Sequence, residues 1–313
     1  MSKIGWIDVL KGIGILLVVI GHIWGGTPTG MIYIFHMPLF FFISGYLSKP
    51  TTEYKSYFIH KTKSLLVPYI VYLIGLYLII FGLPEFTTEV LANYLFRLIF
   101  AGNLLGGGLG VFWFVTCLFF TQQMMNFILS TYHQSSVIFF MFVFLSLSYL
   151  NAWFLPSFWF PWALNVVLAA APIYYIGYWV KNENINVNGF IIAIGVLLVL
   201  IFTLFFPANG YDMKNTYYGF PLLTLGSSLV IIFGLKVLAK YFLTHEIVKK
   251  PFSEFGKASM VIMYLHQPIQ IIINRNISDD RVLRIVLATV IPYLLYLLFK
   301  KNKYTDALLL GNY

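Results

Sequence analysis

Charge is scarce in this chain of 313 residues: only 10% are charged, against 60% hydrophobic and 19% aromatic. A water-soluble domain cannot hide that much apolar surface, so the class is an integral membrane protein. Acidic residues are scarcer still, 11 against 20 basic, leaving a net charge of +9. In so apolar a chain that excess reads as cytoplasmic loop charge, and no nucleic-acid partner is expected. Cysteine is almost absent. Cys117 stands alone in FWFVTCLFF, which excludes an intramolecular disulfide and a thiolate metal site. Also lacking are a cleavable-signal pattern, an internal repeat, a low-complexity run and a soluble domain. The expectation is one membrane domain over 1–313.

What the chain has instead is a series of long apolar runs. Ten stretches read as membrane helices: 9–25, 31–47, 65–83, 110–131, 136–151, 162–180, 189–206, 219–242, 258–274 and 282–299. Each is near the ~20 residues that cross a hydrocarbon core, with 136–151 the shortest. The segment EVLANYLFRLIFA, 89–101, is short and interrupted by Arg97, so it reads as interfacial or re-entrant; GNLLGGGLG, Gly102 to Gly110, then gives a turn. Placing the N-terminus in the cytoplasm puts 15 of the 20 basic residues on the cytoplasmic side, from Lys3 to Lys303. Arg97, Lys214, Arg275, Arg281 and Arg284 fall outside. The expected fold is all-α, a polytopic transmembrane bundle of about ten helices with both termini inside.

Ionisable groups within apolar runs cost about 2.5–3.5 kcal/mol each at a helix centre on insertion scales, so they face protein or water. In IDVLKGIGILLVVIGHIW, Lys11 and His22 are eleven residues apart, about three turns plus 20°, and share a face ~16 Å long. Asp8, at i−3 from Lys11, is placed to pair with it. Gly12, Gly14 and Gly21 leave room for a close helix or a ligand. The second run, FHMPLFFFISGYL, brings His36 to the depth of His22, a possible kink at Pro38, and a small patch at Ser44 and Gly45. The ninth run, GKASMVIMYLHQP, brings His266. Taken singly, Lys11 reads as a snorkelling anchor and each histidine as a hydrogen-bonded structural group. Lys and His on one face, with two more histidines at membrane depth, favour a polar cavity.

These stretches resemble the acyltransferase family 3 of integral membrane proteins. IDVLKGIGILLVVIGH resembles that family's first-helix signature, a basic residue followed after ten others by His; FHMPLFFFISGYL resembles its second. KTKSLLVPY, Lys61 to Tyr69, and FGKASMVIMYLHQPI, Phe255 to Ile269, resemble later segments. The resemblance runs from residue 5 to about 300. The wider family carries Arg where this chain has Lys11, and Lys keeps the charge but loses the planar fork. A sugar O-acetylase-like branch tolerates the Lys.

The resemblance implies an enzyme that moves an acetyl or other acyl group from cytoplasmic acetyl-CoA (acyl-CoA) to a hydroxyl of a cell-envelope polysaccharide or lipid-linked sugar. The setting is the lipid of a bacterial plasma membrane. On this reading Lys11, Lys61 and Lys63 hold the donor, whose phosphates suit the basic segments Lys49–Lys63 and Lys249–Lys257. His22 is the reactive base or acyl carrier, His36 orients the acceptor or stabilises the oxyanion, and Asp8 orients Lys11. Ser44 and His266 belong with the substrate-binding groups, and no metal is expected. The competing class is a proton-coupled transporter or flippase, which also buries Lys and His, but carriers often show paired broken helices in two related halves.

Overall fold

The computed structural model describes residues 5–81 and 88–313. Lys3 and the end of the 65–83 stretch lie outside them. In hydrocarbon a backbone must satisfy its own hydrogen bonds, and apolar runs of this length do so as helices. Among the described residues no strand forms, and the one isolated antiparallel bridge joins Asp212 and Tyr217. Among the described residues eight helical segments, some of them running across a break or a π-helical turn, are long and apolar enough to cross a membrane. The 189–206 and 258–274 stretches are helical too, as Gly189–Phe205 and Ser259–Asn276. The protein is a polytopic helical bundle.

In chain order the helices are α1 (Gly5–Ile23), α2 (Gly26–Tyr33), α3 (His36–Tyr46), α4 (Tyr54–Lys61), α5 (Val67–Phe81), α6 (Thr88–Phe100) and α7 (Trp113–Thr131). They continue with α8 (Gln134–Phe154), α9 (Leu164–Asn182), α10 (Gly189–Phe205), α11 (Leu223–Phe242), α12 (Glu246–Lys257), α13 (Ser259–Asn276), α14 (Arg281–Phe299) and α15 (Lys303–Leu310). A π-helical turn, Thr62–Leu66, joins α4 to α5. Helix α8 has 21 residues, so the fifth span is not short: the helix runs on through Asn151 to Phe154. Helix α6 has 13 residues, about 20 Å, too short for a ~30 Å hydrocarbon core.

The second apolar run is two helices, not one kinked at Pro38. The break falls at Ile34 and Phe35, ahead of the proline. Pro38 is then the third residue of α3, within the first turn, where a backbone N–H has no partner in its own helix. At the break the Ile32 carbonyl accepts the backbone N–H of Phe35 at 3.2 Å, and the His36 ring reaches the same oxygen.

Lipid gives no hydrophobic drive between helices, so close packing must hold them, and small residues permit it. A Cβ on Gly12 would overlap the Phe252 carbonyl of α12, and one on Gly256 would overlap the Asp8 carbonyl of α1. Helices α3 and α9 interlock the same way, Gly45 against Tyr174 and Gly177 against Phe42. Gly14 faces Leu39 and Phe40, and Gly21 faces Ile32 and Tyr33. Gly12, Gly14 and Gly21 therefore all seat neighbouring helices. Outward-facing Phe142 (66% exposed) and Phe205 (77%) give the bundle an apolar exterior suited to lipid.

Hydrogen bonds tie the connections at each end. Asn126 holds Thr51, Lys181 donates to the Ser48 carbonyl at 2.8 Å, and Lys236 donates to that of Ile185 at 3.2 Å, all at the Lys11 end. At the His22 end Trp162 donates to the Ile99 carbonyl at 2.7 Å and Lys214 to that of Leu105 at 2.9 Å.

Candidate active site

One cavity of about 550 Å3 runs inside the bundle beside α1. Lys11, Ile15, Val18 and His22 line it, on successive turns of one helical face. From α3 come His36, Phe40, Ile43 and Ser44, with Leu47 just past its end; from α7, Phe114, Leu118 and Gln122. Helix α13 adds Ser259, Met260 and Gln267, and the connection between α10 and α11 adds Asp212 to Asn215. Polar groups gather at the two ends and apolar side chains lie between. Near the Lys11 end Gln122 Nε2 donates to Ser44 Oγ at 2.7 Å.

Lys11 has no carboxylate against it. The ion pairs among the described residues are Lys249–Glu246 and Lys257–Glu254, both within α12. Asp8 is not part of the cavity wall. It acts on Lys11 only through space, and its carbonyl packs on Gly256. Lys11 therefore presents to the cavity an amine that no carboxylate touches.

The three membrane-depth histidines converge. His22 lies 5.1 Å from His266 and 6.3 Å from His36, centroid to centroid, and Tyr33 lies 4.6 Å from His36. Side chains on a helix lean toward its N-terminus, so an imidazole Nδ1 can reach the carbonyl one turn back. All three do so: His22 Nδ1 to Val18 at 2.8 Å, His36 Nδ1 to Ile32 at 3.2 Å, His266 Nδ1 to Ile262 at 2.9 Å. A carbonyl only accepts, so each Nδ1 carries the proton, and in the neutral ring each Nε2 holds a lone pair. His266 Nε2 faces His22 Nδ1 at 3.4 Å and accepts from it as well. His22 Nε2 makes no hydrogen bond to any described residue and is a basic atom on the cavity wall, as is the Nε2 of His36. Among the described residues no three His, Cys, Asp or Glu side chains are grouped to hold a metal ion.

The placement of the remaining candidates is mixed. His36 and Ser44 line the cavity, whereas His266 is fully buried behind His22 and does not. Lys61 and Lys63 lie outside it too. Lys61 sits 5.4 Å over the Tyr57 ring, and Lys63 lines a separate open groove with Lys55, His60 and Tyr313. Removing the His266 ring should therefore act through His22 alone. We expect His266→Ala to lower kcat by about three- to tenfold, the worth of one hydrogen bond, with substrate KM unchanged. His266→Asn, which restores an acceptor, should recover part of the rate; equal kcat in all three proteins would remove His266 from the site.

Sequence reasoning missed Asp212, Lys214, Tyr33 and Gln122. Lys214 was counted only as a topology charge, yet it folds into the mouth of the cavity beside His22. Burial lowers its ammonium from the ordinary lysine value, and the carboxylate of Asp212 opposes that shift. A polar run, NGYDMKN, within a connection between two spans was the available signal; which of its residues turn inward depends on the fold.

Fold and site together define a polytopic membrane protein with an internal cavity that carries a lysine near one end and histidines near the other. The sequence model of the acyltransferase 3 family, described as an acyltransferase domain, matches residues 4–300, and the chain belongs to that family. It is a membrane acyltransferase. No curated protein and no solved structure matches the chain.

Proposed function

We propose that the protein transfers an acyl group, most simply acetyl, from cytoplasmic acyl-CoA to a hydroxyl of a cell-envelope polysaccharide or lipid-linked sugar, in a bacterial plasma membrane. The observation that carries this reading is the shared wall: Lys11 and His22 line one cavity at opposite ends of a single helical face. An extended thioester arm fits between them, its anionic portion at Lys11 and its acyl carbon near His22. Half-buried Lys61 and exposed Lys63 lie outside the cavity and would meet the donor's phosphates there.

In the transfer, His22 Nε2 takes the proton of the attacking hydroxyl as its oxygen bonds to the thioester carbonyl carbon. His36, 6.3 Å from His22, is placed to steady the acceptor or the carbonyl oxygen. The carbon–sulfur bond then breaks, and the leaving thiolate takes the proton back from the imidazolium. A relay through an acyl-histidine at the same nitrogen uses the same geometry.

The test is acetyl-CoA-dependent labelling of membranes from a deletion strain that expresses the wild-type protein, with envelope O-acetyl content measured alongside. Label in an envelope glycan or lipid supports the reading; none in any fraction would overturn it. Lys11→Met should raise the donor KM about tenfold or more, since a charged hydrogen-bond donor is lost, with kcat less affected. An unchanged donor KM would remove Lys11 from donor binding.

A further inference from the structure

The connection between α10 and α11 does more than close a loop. Tyr211 and Met213 are buried as anchors, at 0% and 1% exposure, so the residues between and after them are held in fixed directions. The backbone N–H of Tyr217 donates to the Asp212 carbonyl at 3.0 Å, and Asn215 Nδ2 donates to the Asp212 carboxylate at 2.7 Å. Lys214 uses one N–H on the Leu105 carbonyl, which fastens this connection to the glycine-rich one between α6 and α7. Both charged side chains open on the cavity at the His22 end.

Asp212 and Lys214 are two residues apart but do not pair with each other. Lys214 keeps two N–H groups that no described residue accepts, and Asp212 keeps accepting capacity beyond Asn215. Tyr33 adds an aromatic face and a hydroxyl to the same end of the cavity, and Gln267 adds an amide. The set offers an acceptor, a donor and a flat apolar surface within one wall. One negative and one positive charge cancel, and the histidines enter as neutral rings.

Resting on the acyl-transfer reading above, we propose that Asp212 and Lys214, with Tyr33, form the acceptor subsite and hold one uncharged sugar ring against His22. The carboxylate takes hydroxyl protons, the ammonium donates to ring or hydroxyl oxygens, and the phenol ring covers an apolar sugar face. An anionic sugar would meet Asp212 unpaired, and a cationic one Lys214, so both are disfavoured. The connection thereby selects which sugar reaches His22.

The test uses labelled acetyl-CoA and the host strain's own envelope glycan as acceptor, digested and separated into uncharged and anionic sugars. Asp212→Asn and Lys214→Met should each lower transfer at limiting glycan by about tenfold, the loss of one charged hydrogen bond, with the acetyl-CoA KM unchanged. Asp212→Glu and Lys214→Arg keep the charges and guard against misfolding; they should retain more transfer than the neutral variants at equal membrane abundance. Label on anionic sugars would overturn the proposal, as would neutral variants with wild-type acceptor KM. If the wild-type protein transfers nothing from acetyl-CoA, the acyl-transfer reading fails and this subsite fails with it, an outcome distinct from either of those.

Discussion

Replacing His22 by Gln should abolish acyl transfer while leaving the protein in the membrane. Gln can still place an N–H near the Val18 carbonyl, which His22 Nδ1 reaches at 2.8 Å, so the local packing survives. It has no basic nitrogen to stand where Nε2 stands. A positioned general base contributes about 10²–10⁴-fold, and that is the expected loss in kcat. If the acyl group passes through the histidine itself, the loss is total and any trapped acyl-enzyme disappears as well. The measurement is O-acetyl content in a deletion strain rescued with each form, at matched protein abundance. Retention of most activity in His22→Gln would move the base to His36, whose Nδ1 is likewise held by a carbonyl and whose Nε2 is the basic atom.

Gly256→Val should unseat the first helix. The new Cβ would meet the backbone carbonyl of Asp8, and no rotamer relieves a clash of backbone against a first side-chain carbon. Helix α12 must then withdraw from α1, which also loosens the reciprocal fit of Gly12 on Phe252. Overpacking of this kind costs about 1–3 kcal/mol, and backbone contacts lie at the upper end. The expected outcome is a lower melting temperature in detergent, reduced membrane abundance and loss of activity through displacement of Lys11. Gly75→Ala is the control. Nothing lies within 4 Å of its added Cβ, and alanine is the better helix former, so stability should hold or rise. A Gly256→Val protein that melts with the wild type would show that the α1–α12 contact is not needed for the fold.

Much of the architecture was legible in the residues because membrane helices obey local rules. Apolar runs of sufficient length have one way to satisfy their backbones, so each of the ten stretches is helical over most of its described residues, though 219–222 precede α11 and the second run breaks at Ile34 and Phe35. The boundary errors have physical causes. Polar residues such as Asn151 near a helix end do not stop it, since α8 continues to Phe154. Pro38 did not mark a kink because the chain had already broken at Phe35.

The candidate site divides along the same line. The sequence by itself determined the wall formed by Lys11 and His22, because residues eleven apart on a helix return to one face wherever the helix packs. What needed the tertiary structure was every relation between elements: His266 behind His22 rather than on the cavity wall, Asp8 off that wall, Lys61 and Lys63 left outside, and Asp212 and Lys214 drawn in. Such relations depend on which helices approach most closely. Here the overlapping surfaces of Gly12 with Phe252, and of Gly45 with Tyr174, settle that over distances no local periodicity encodes.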